Sequence, residues 1–357
     1  MPNLILYHKW FRKLRELREG EHKARLKSFT WLMVGIYFSG SVHLSKVACE
    51  TVGEAVNNSK ARRLARVLGN NHIRVREWYD PTAQSILENI ADSGQEIRLI
   101  ADGSKVGFGH QLLMVSVAYR RRSIPIVWTW VKGKRGHSSA HKQMALLAHA
   151  RSLIPEGATV SLAGDSEFGA IPIVELLEEW EWLYTLRQKG SHQVQLSDQE
   201  TWRRFDELVS KGESRWFADA RLTKAHAHKT NLVAHWEKGE KEPWLLATNR
   251  PTKRIALRAY RKRAWIEEMF GDFKKHGFDL ESTHLRHFLR LSRLTLAVVL
   301  IYLWLVAFGS SIIKRGLRRL VDRNDRRDLS IFRIGYDSMK RRLNNQQSFK
   351  LRLMPYF

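Results

Sequence analysis

Cysteine is nearly missing from this 357-residue chain. Cys49 stands alone, so neither an intramolecular disulfide nor a cysteine-built zinc site can form. That usage suits a reducing cytoplasm. Acidic residues are also scarce: 36 Asp and Glu face 61 Lys and Arg, leaving a net charge of +25. A chain this short of negative charge, with a pI of about 10.4, is drawn to polyanions, nucleic acid first. No internal repeat or low-complexity tract breaks the sequence. The basic, amphipathic start, "MPNLILYHKWFRKLRELREGEHK", lacks a long apolar core and a small-residue cleavage site, so no signal peptide is expected. Long apolar runs are rare too. The exception is Leu294 to Ile313, 20 residues without a charge, flanked by Arg293 and Lys314. Its length suffices to cross a bilayer. The highly charged chain around it favours a buried core helix and no membrane.

Three sections stand out in what remains. Residues 1–93 read as helical, and "SKARRLARVLGN" forms a strongly basic helix ending at Gly69. Arg62, Arg63 and Arg66 make it a candidate DNA-binding helix; the plainer reading is a solvated face. Residues 97–106, 111–120 and 124–132 read as strands, the last two joined through an Arg-rich turn as a hairpin. A helix (138–151), a buried strand in "ATVSLAGDSEFG", a helix (171–180) and the strand "WLYTLRQK" complete a β-β-β-α-β-α-β order. That is the order of the ribonuclease H fold. Residues 190–243 are polar and broken by Gly190, Gly212 and Gly239, and read as an inserted subdomain of short strands. The strand "PWLLATNR" then returns to the core.

Two aspartates follow apolar runs and precede small residues: Asp102 in "LIADGS" and Asp165 in "LAGDSEFG". Each is placed either to cap a turn or to serve chemistry. In a ribonuclease H-type sheet the first and fourth strands are neighbours, and their acids converge. A helix packed across them can add a third acid. "YRKRAWIEEMFGDFK" supplies one. On a helical wheel of about 100° per residue, Tyr260, Arg263, Glu267 and Lys274 share one stripe. Ala259, Ile266, Met269, Phe270 and Phe273 form the face to bury, and Arg261, Glu268, Asp272 and Lys275 the face to solvate. Glu268 falls off the polar stripe, so Glu267 is the third acid. Three carboxylates are hard oxygen ligands suited to Mg²⁺ and to phosphodiester cleavage.

These residues resemble the DDE-type transposases of bacterial insertion-sequence family four. The family signature Y-(2)-R-(3)-E-(6)-K is matched by Tyr260, Arg263, Glu267 and Lys274. "ADGS", "GDSEFG" and "PWLLATN" match its surroundings, over roughly 97–305. The resemblance implies an α/β fold: a ribonuclease H-like catalytic core (94–189 and 244–290) with a β-rich insert (190–243). A helical DNA-binding domain (1–93) precedes it and a C-terminal helical region (291–357) follows. It implies cut-and-paste transposition through strand cleavage, hairpin formation and strand transfer. Asp102, Asp165 and Glu267 are then catalytic and hold two Mg²⁺ ions, for which Mn²⁺ can substitute. Tyr260, Arg263 and Lys274 grip DNA phosphates, and Trp244 stacks on a displaced base, or else packs in the core. The implied partners are double-stranded transposon ends and target DNA, bound by a homodimer, at a cytoplasmic, nucleoid-associated location. A structure-specific nuclease and a decayed DNA-binding protein are the alternatives.

Overall fold

The computed structural model describes residues 1–107, 109–132 and 138–357. Five helices open the chain: α1 (Pro2–Leu17), α2 (Lys23–Ser39), α3 (Leu44–Cys49), α4 (Asn57–Gly69) and α5 (Val75–Asp92). In α4 the apolar positions recur at helical spacing. Leu64, Val67 and Leu68 are buried, and Arg62, Arg63 and Arg66 face solvent.

The three strands that follow are β1 (Ile97–Val106), β2 (His110–Tyr119) and β3 (Arg122–Lys132), close to the ranges expected. β2 is buried along nearly its whole length, which fits its unbroken apolar run. It joins β3 through Arg120 and Arg121, both at positive φ (44° and 62°), as a two-residue type I′ turn requires. Pro125 sits where the β2–β3 register shifts, a bulge that removes the need for its missing N–H. α6 (Ala140–Arg151), β4 (Val160–Gly164), α7 (Ile171–Glu179) and β5 (Leu183–Arg187) complete this half.

The strands of residues 190–243 are β6 (Gln193–Gln195), β7 (Trp202–Arg204), β8 (Ser214–Leu222) and β9 (His228–His235), followed by β10 (Trp244–Thr248). They extend the main sheet. One ten-stranded sheet runs β3-β2-β1-β4-β5-β10-β9-β8-β6-β7. β1, β4 and β5 are mutually parallel, whereas β10 is antiparallel to both β5 and β9.

The stretch read as one helix from Tyr260 to Lys274 is two. α8 (Lys253–Arg261) and α9 (Ala264–Phe273) meet at Lys262 and Arg263. There the backbone tightens: the amides of Lys262 and Arg263 each donate to a carbonyl three residues back. A single wheel therefore does not hold across the signature, and Lys274 already leaves helical geometry (ψ −129°). Ile266, Met269, Phe270 and Phe273 are buried as expected. Asp272, expected in solvent, is buried too, because Arg122 reaches it from β3 (2.7 Å) and supplies the opposite charge.

The long apolar run forms α10 (Phe288–Lys314), whose residues from Leu294 to Ala307 are buried. It packs on α2, α4, α5, β3 and α11 (Ile331–Asn344). Its buried Arg293 donates to the carbonyls of Leu68 (2.9 Å) and Ile73 (3.0 Å), capping the end of α4 from another helix.

Candidate active site

Parallel pairing of β1 with β4 ends at Ala101 opposite Gly164. Asp102 and Asp165 are the next residues on each side, so the register itself sets the two carboxylates next to one another. Asp102 lies inside a strand and not at its end, because β1 continues with β2 to Val106. Gly164 is needed before Asp165, since a Cβ there would stand 2.9 Å from that of Phe168. Glu267 enters from the first turn of α9, which packs on β1, β2 and β3.

One guanidinium binds all three acids. Arg263 Nη2 lies 2.9 Å from Asp102 Oδ2 and 3.8 Å from Asp165 Oδ2, and Nη1 donates to Glu267 Oε1. Asp102 is 4% exposed. Burial pushes its carboxyl up to about 7; Arg263 pulls the other way, and the charges of Asp165 and Glu267 add to the rise. Burial likewise raises Asp165, against the pull of Arg263. Burial opposes the charge on Arg263, but Asp102, Glu267, Tyr260 and Asp165 outweigh it and raise its pKa. The acids call for a cation, and the chain supplies one. Among the described residues no group of three or more His, Cys, Asp or Glu side chains is arranged to hold a metal as it stands. The donor set still fits one: three carboxylates from three elements, already gathered on a positive charge, suit a hard divalent ion.

The other expected residues lie around this centre in different settings. Tyr260 is buried on α8, edge-to-face with Trp244 (ring centroids 5.1 Å). Burial pushes its hydroxyl up to about 12. Trp244 is half-buried at the start of β10, and its ring also nears His235 (5.8 Å). Lys274 Nζ donates to the carbonyl of Lys105 on β1 (2.8 Å) and pairs with Glu281 (3.0 Å). Arg62, Arg63 and Arg66 are exposed on α4 and form no ion pair among the described residues. Sequence reasoning passed over Glu167, although "GDSEFG" contains it. Its carboxylate is bonded to Gln111 and Ser138 beside the triad.

An aspartate inside β1, an aspartate just past β4 and a glutamate on α9 thus close around a single positive charge on a mixed α/β scaffold. Residues 85–304, well over half of the chain, match the family described as transposase DDE domain. The chain belongs to that family of transposases. The synaptic complex of a piggyBac transposase with hairpin DNA, solved by cryo-electron microscopy, is a similar structure, with a TM-score of 0.44 at 11% identity. The match covers 99% of this chain and 85% of that one. No curated protein matches this sequence.

Proposed function

We propose that this transposase belongs to insertion-sequence family four and works by cut-and-paste, through a ribonuclease H-like core of residues 94–189 and 244–290. The observation that carries the reading is the convergence of Asp102, Asp165 and Glu267 on one cationic group. These three would hold two Mg²⁺ ions, or Mn²⁺ in their place. The ions supply Lewis acidity to the attacking and leaving oxygens of phosphodiester chemistry. The chain's own residues do the rest. Burial favours the neutral Asp102 carboxyl, and a bound cation would favour the carboxylate that ligates it. Arg263, released from the acids, is placed to fork onto a DNA phosphate. Lys274 adds a point charge from the end of α9, and Tyr260 and Trp244 form an aromatic wall beside them.

The sequence of steps is nicking at the transposon end, attack of the freed 3′-OH on the opposite strand to close a hairpin, reopening, and joining to target DNA. The helices of residues 1–93, with Arg62, Arg63 and Arg66, bind the duplex ends. The excess of positive charge supports that role. The insert of residues 190–243 and the C-terminal region of residues 291–357 complete a protomer that acts as a homodimer on paired ends, in the cytoplasm at the nucleoid.

Incubation of the protein with the DNA flanking its own gene and Mg²⁺, followed by mapping of the ends, tests this. Hairpin-ended flanks or excised elements and their joined products are expected, and Asp102→Asn should abolish all of them. Cleavage at branched structures without joining would replace this reading with that of a nuclease.

A further inference from the structure

A fourth carboxylate stands beside the triad without a part in the chemistry just described. Glu167 accepts hydrogen bonds from Gln111 Nε2 (2.8 Å), from the Ser138 amide (2.5 Å) and from Ser138 Oγ (2.7 Å). Gln143 Nε2 donates in turn to the same hydroxyl (2.8 Å). Gln111 and Gln143 are 2% and 1% exposed, so these amides are committed to the network rather than to water. The bonds tie together β2, the turn after β4 and the entry to α6. Ser139, the residue before α6, has no side-chain cap, and the Glu167 carboxylate lies at that positive helix end.

The network touches both aspartates through the backbone. Glu167 belongs to the turn of Asp165: its own amide donates to Asp165 Oδ1 (3.0 Å), and the Phe168 amide donates to the Asp165 carbonyl (3.0 Å). It also lies against the residue after Asp102. A Cβ on Gly103 would come within 2.9 Å of Glu167 Oε2 and 2.2 Å of Gln111 Nε2. A side chain at position 103 would have to push both of these groups aside.

We propose that Glu167 is a positioning residue. By fastening the Asp165–Phe168 turn to Gln111 and Ser138, it fixes the direction of the Asp165 carboxylate and its distance from Asp102. This rests on the reading of Asp102, Asp165 and Glu267 as a cation site. The role belongs to the hydrogen bonds and not to the negative charge, and the structure offers a way to separate them. Among the described residues Gln111 Oε1 has no partner. In Glu167→Gln the new amide oxygen can keep the Ser138 bonds, and its NH₂ can donate to Gln111 once that side chain flips. The flip leaves no additional polar atom unpaired.

The test is Mn²⁺ binding to the full chain without DNA, read from the free-ion paramagnetic resonance signal, with melting temperatures alongside. Asp102→Asn should remove the site. Glu167→Ala should weaken Mn²⁺ binding by about tenfold, the size expected when support for a ligand is lost. Glu167→Gln and the exchange Glu167→Gln with Gln111→Glu should both bind like the unaltered protein. Glu167→Ala with unchanged Mn²⁺ affinity overturns the inference. So does Glu167→Gln as weak as Glu167→Ala, which would make the charge itself a ligand. If Glu167→Ala fails to fold, Gln111→Ala, which removes the bond from β2 to Glu167, takes its place: weakened Mn²⁺ binding is expected, and unchanged affinity overturns the inference. Binding that Asp102→Asn leaves untouched overturns the triad reading and this inference with it; Asp102-dependent binding indifferent to Glu167→Ala overturns this inference alone.

Discussion

The guanidinium of Arg263 lies 2.9 Å from the carboxylate of Asp102, and reaches Asp165 and Glu267 from the same position. The side chain that the signature marks as a phosphate grip is, in the folded chain, the counterion of the acids. Arg263→Gln leaves three carboxylates without it. In chelator this should destabilise the protein by about 3 kcal/mol, the scale of breaking a buried pair. Added Mn²⁺ should then raise the melting temperature more in the variant than in the unaltered protein, because the ion meets no competitor. Equal shifts in the two would show that arginine and metal do not compete.

A dependence on pH follows from Asp102. Its carboxyl is raised to about 7 in the folded chain, chiefly by burial, and ionises near 4 when unfolded. Between those values the folded state keeps a proton that the unfolded state has lost. The stability from this group is full below about pH 4 and declines as pH rises toward 7. Asp102→Asn removes the group. In chelator, its unfolding free energy should fall less across that window than that of the unaltered protein. Parallel pH profiles for the two proteins would sink the assignment.

Glu267 and Glu268 are adjacent but serve opposite sides of α9. Glu267 meets Arg263, whereas Glu268 meets Arg122 (3.0 Å) of the β2–β3 hairpin. Glu267→Gln should abolish strand cleavage and leave binding to transposon ends intact. Glu268→Gln should cut normally. Mapping of nicked ends for both variants decides it, and the reverse result would move the centre by one residue.

Much of this was legible in the chain, for identifiable reasons. The strands bearing Asp102 and Asp165 are apolar runs closed by Gly or small residues, and a strand buried on both faces has to read that way. Buried positions on α9 followed from helical spacing at Ile266, Met269, Phe270 and Phe273. What stayed hidden depended on partners distant in sequence. Asp272 looks like a surface acid until Arg122, 150 positions away, is seen beside it. The break at Lys262 and Arg263 carries no Pro or Gly, so no local signal announces it. Residues 190–243 read as a separate unit because their turns are polar, yet β9 pairs with β10.

Arg62, Arg63 and Arg66 are exposed on one face of α4 and, among the described residues, form no ion pair. Changing any one to Ala should lower the slope of log binding constant against log salt by about 1 if it touches a phosphate. Retardation of end-bearing DNA over a salt series measures this. Unchanged slopes for all three would remove α4 from the interface.

Trp244 leans edge-to-face on Tyr260 and keeps part of its ring open. A base stacked there would gain about 1–3 kcal/mol. Trp244→Ala should leave first-strand nicking intact and slow hairpin closure, and an abasic nucleotide at the displaced position should restore part of the rate. A fall in melting temperature with equal loss of every step would mark it instead as a packing residue.

The single ten-stranded sheet gives the protein a mechanical character. No loose tether separates the insert from the acids, because β10 is hydrogen-bonded to β5 on one side and β9 on the other. Five strands, β6, β8, β9, β10 and β5, lie between β7 and β4, the strand that ends just before Asp165. The compliant point is at β8, where the register with β9 slips between Phe217 and Ala220 and Asp219 takes a positive φ of 52°. Residues 190–243 and the strands that carry Asp102 and Asp165 therefore form one continuous hydrogen-bonded body.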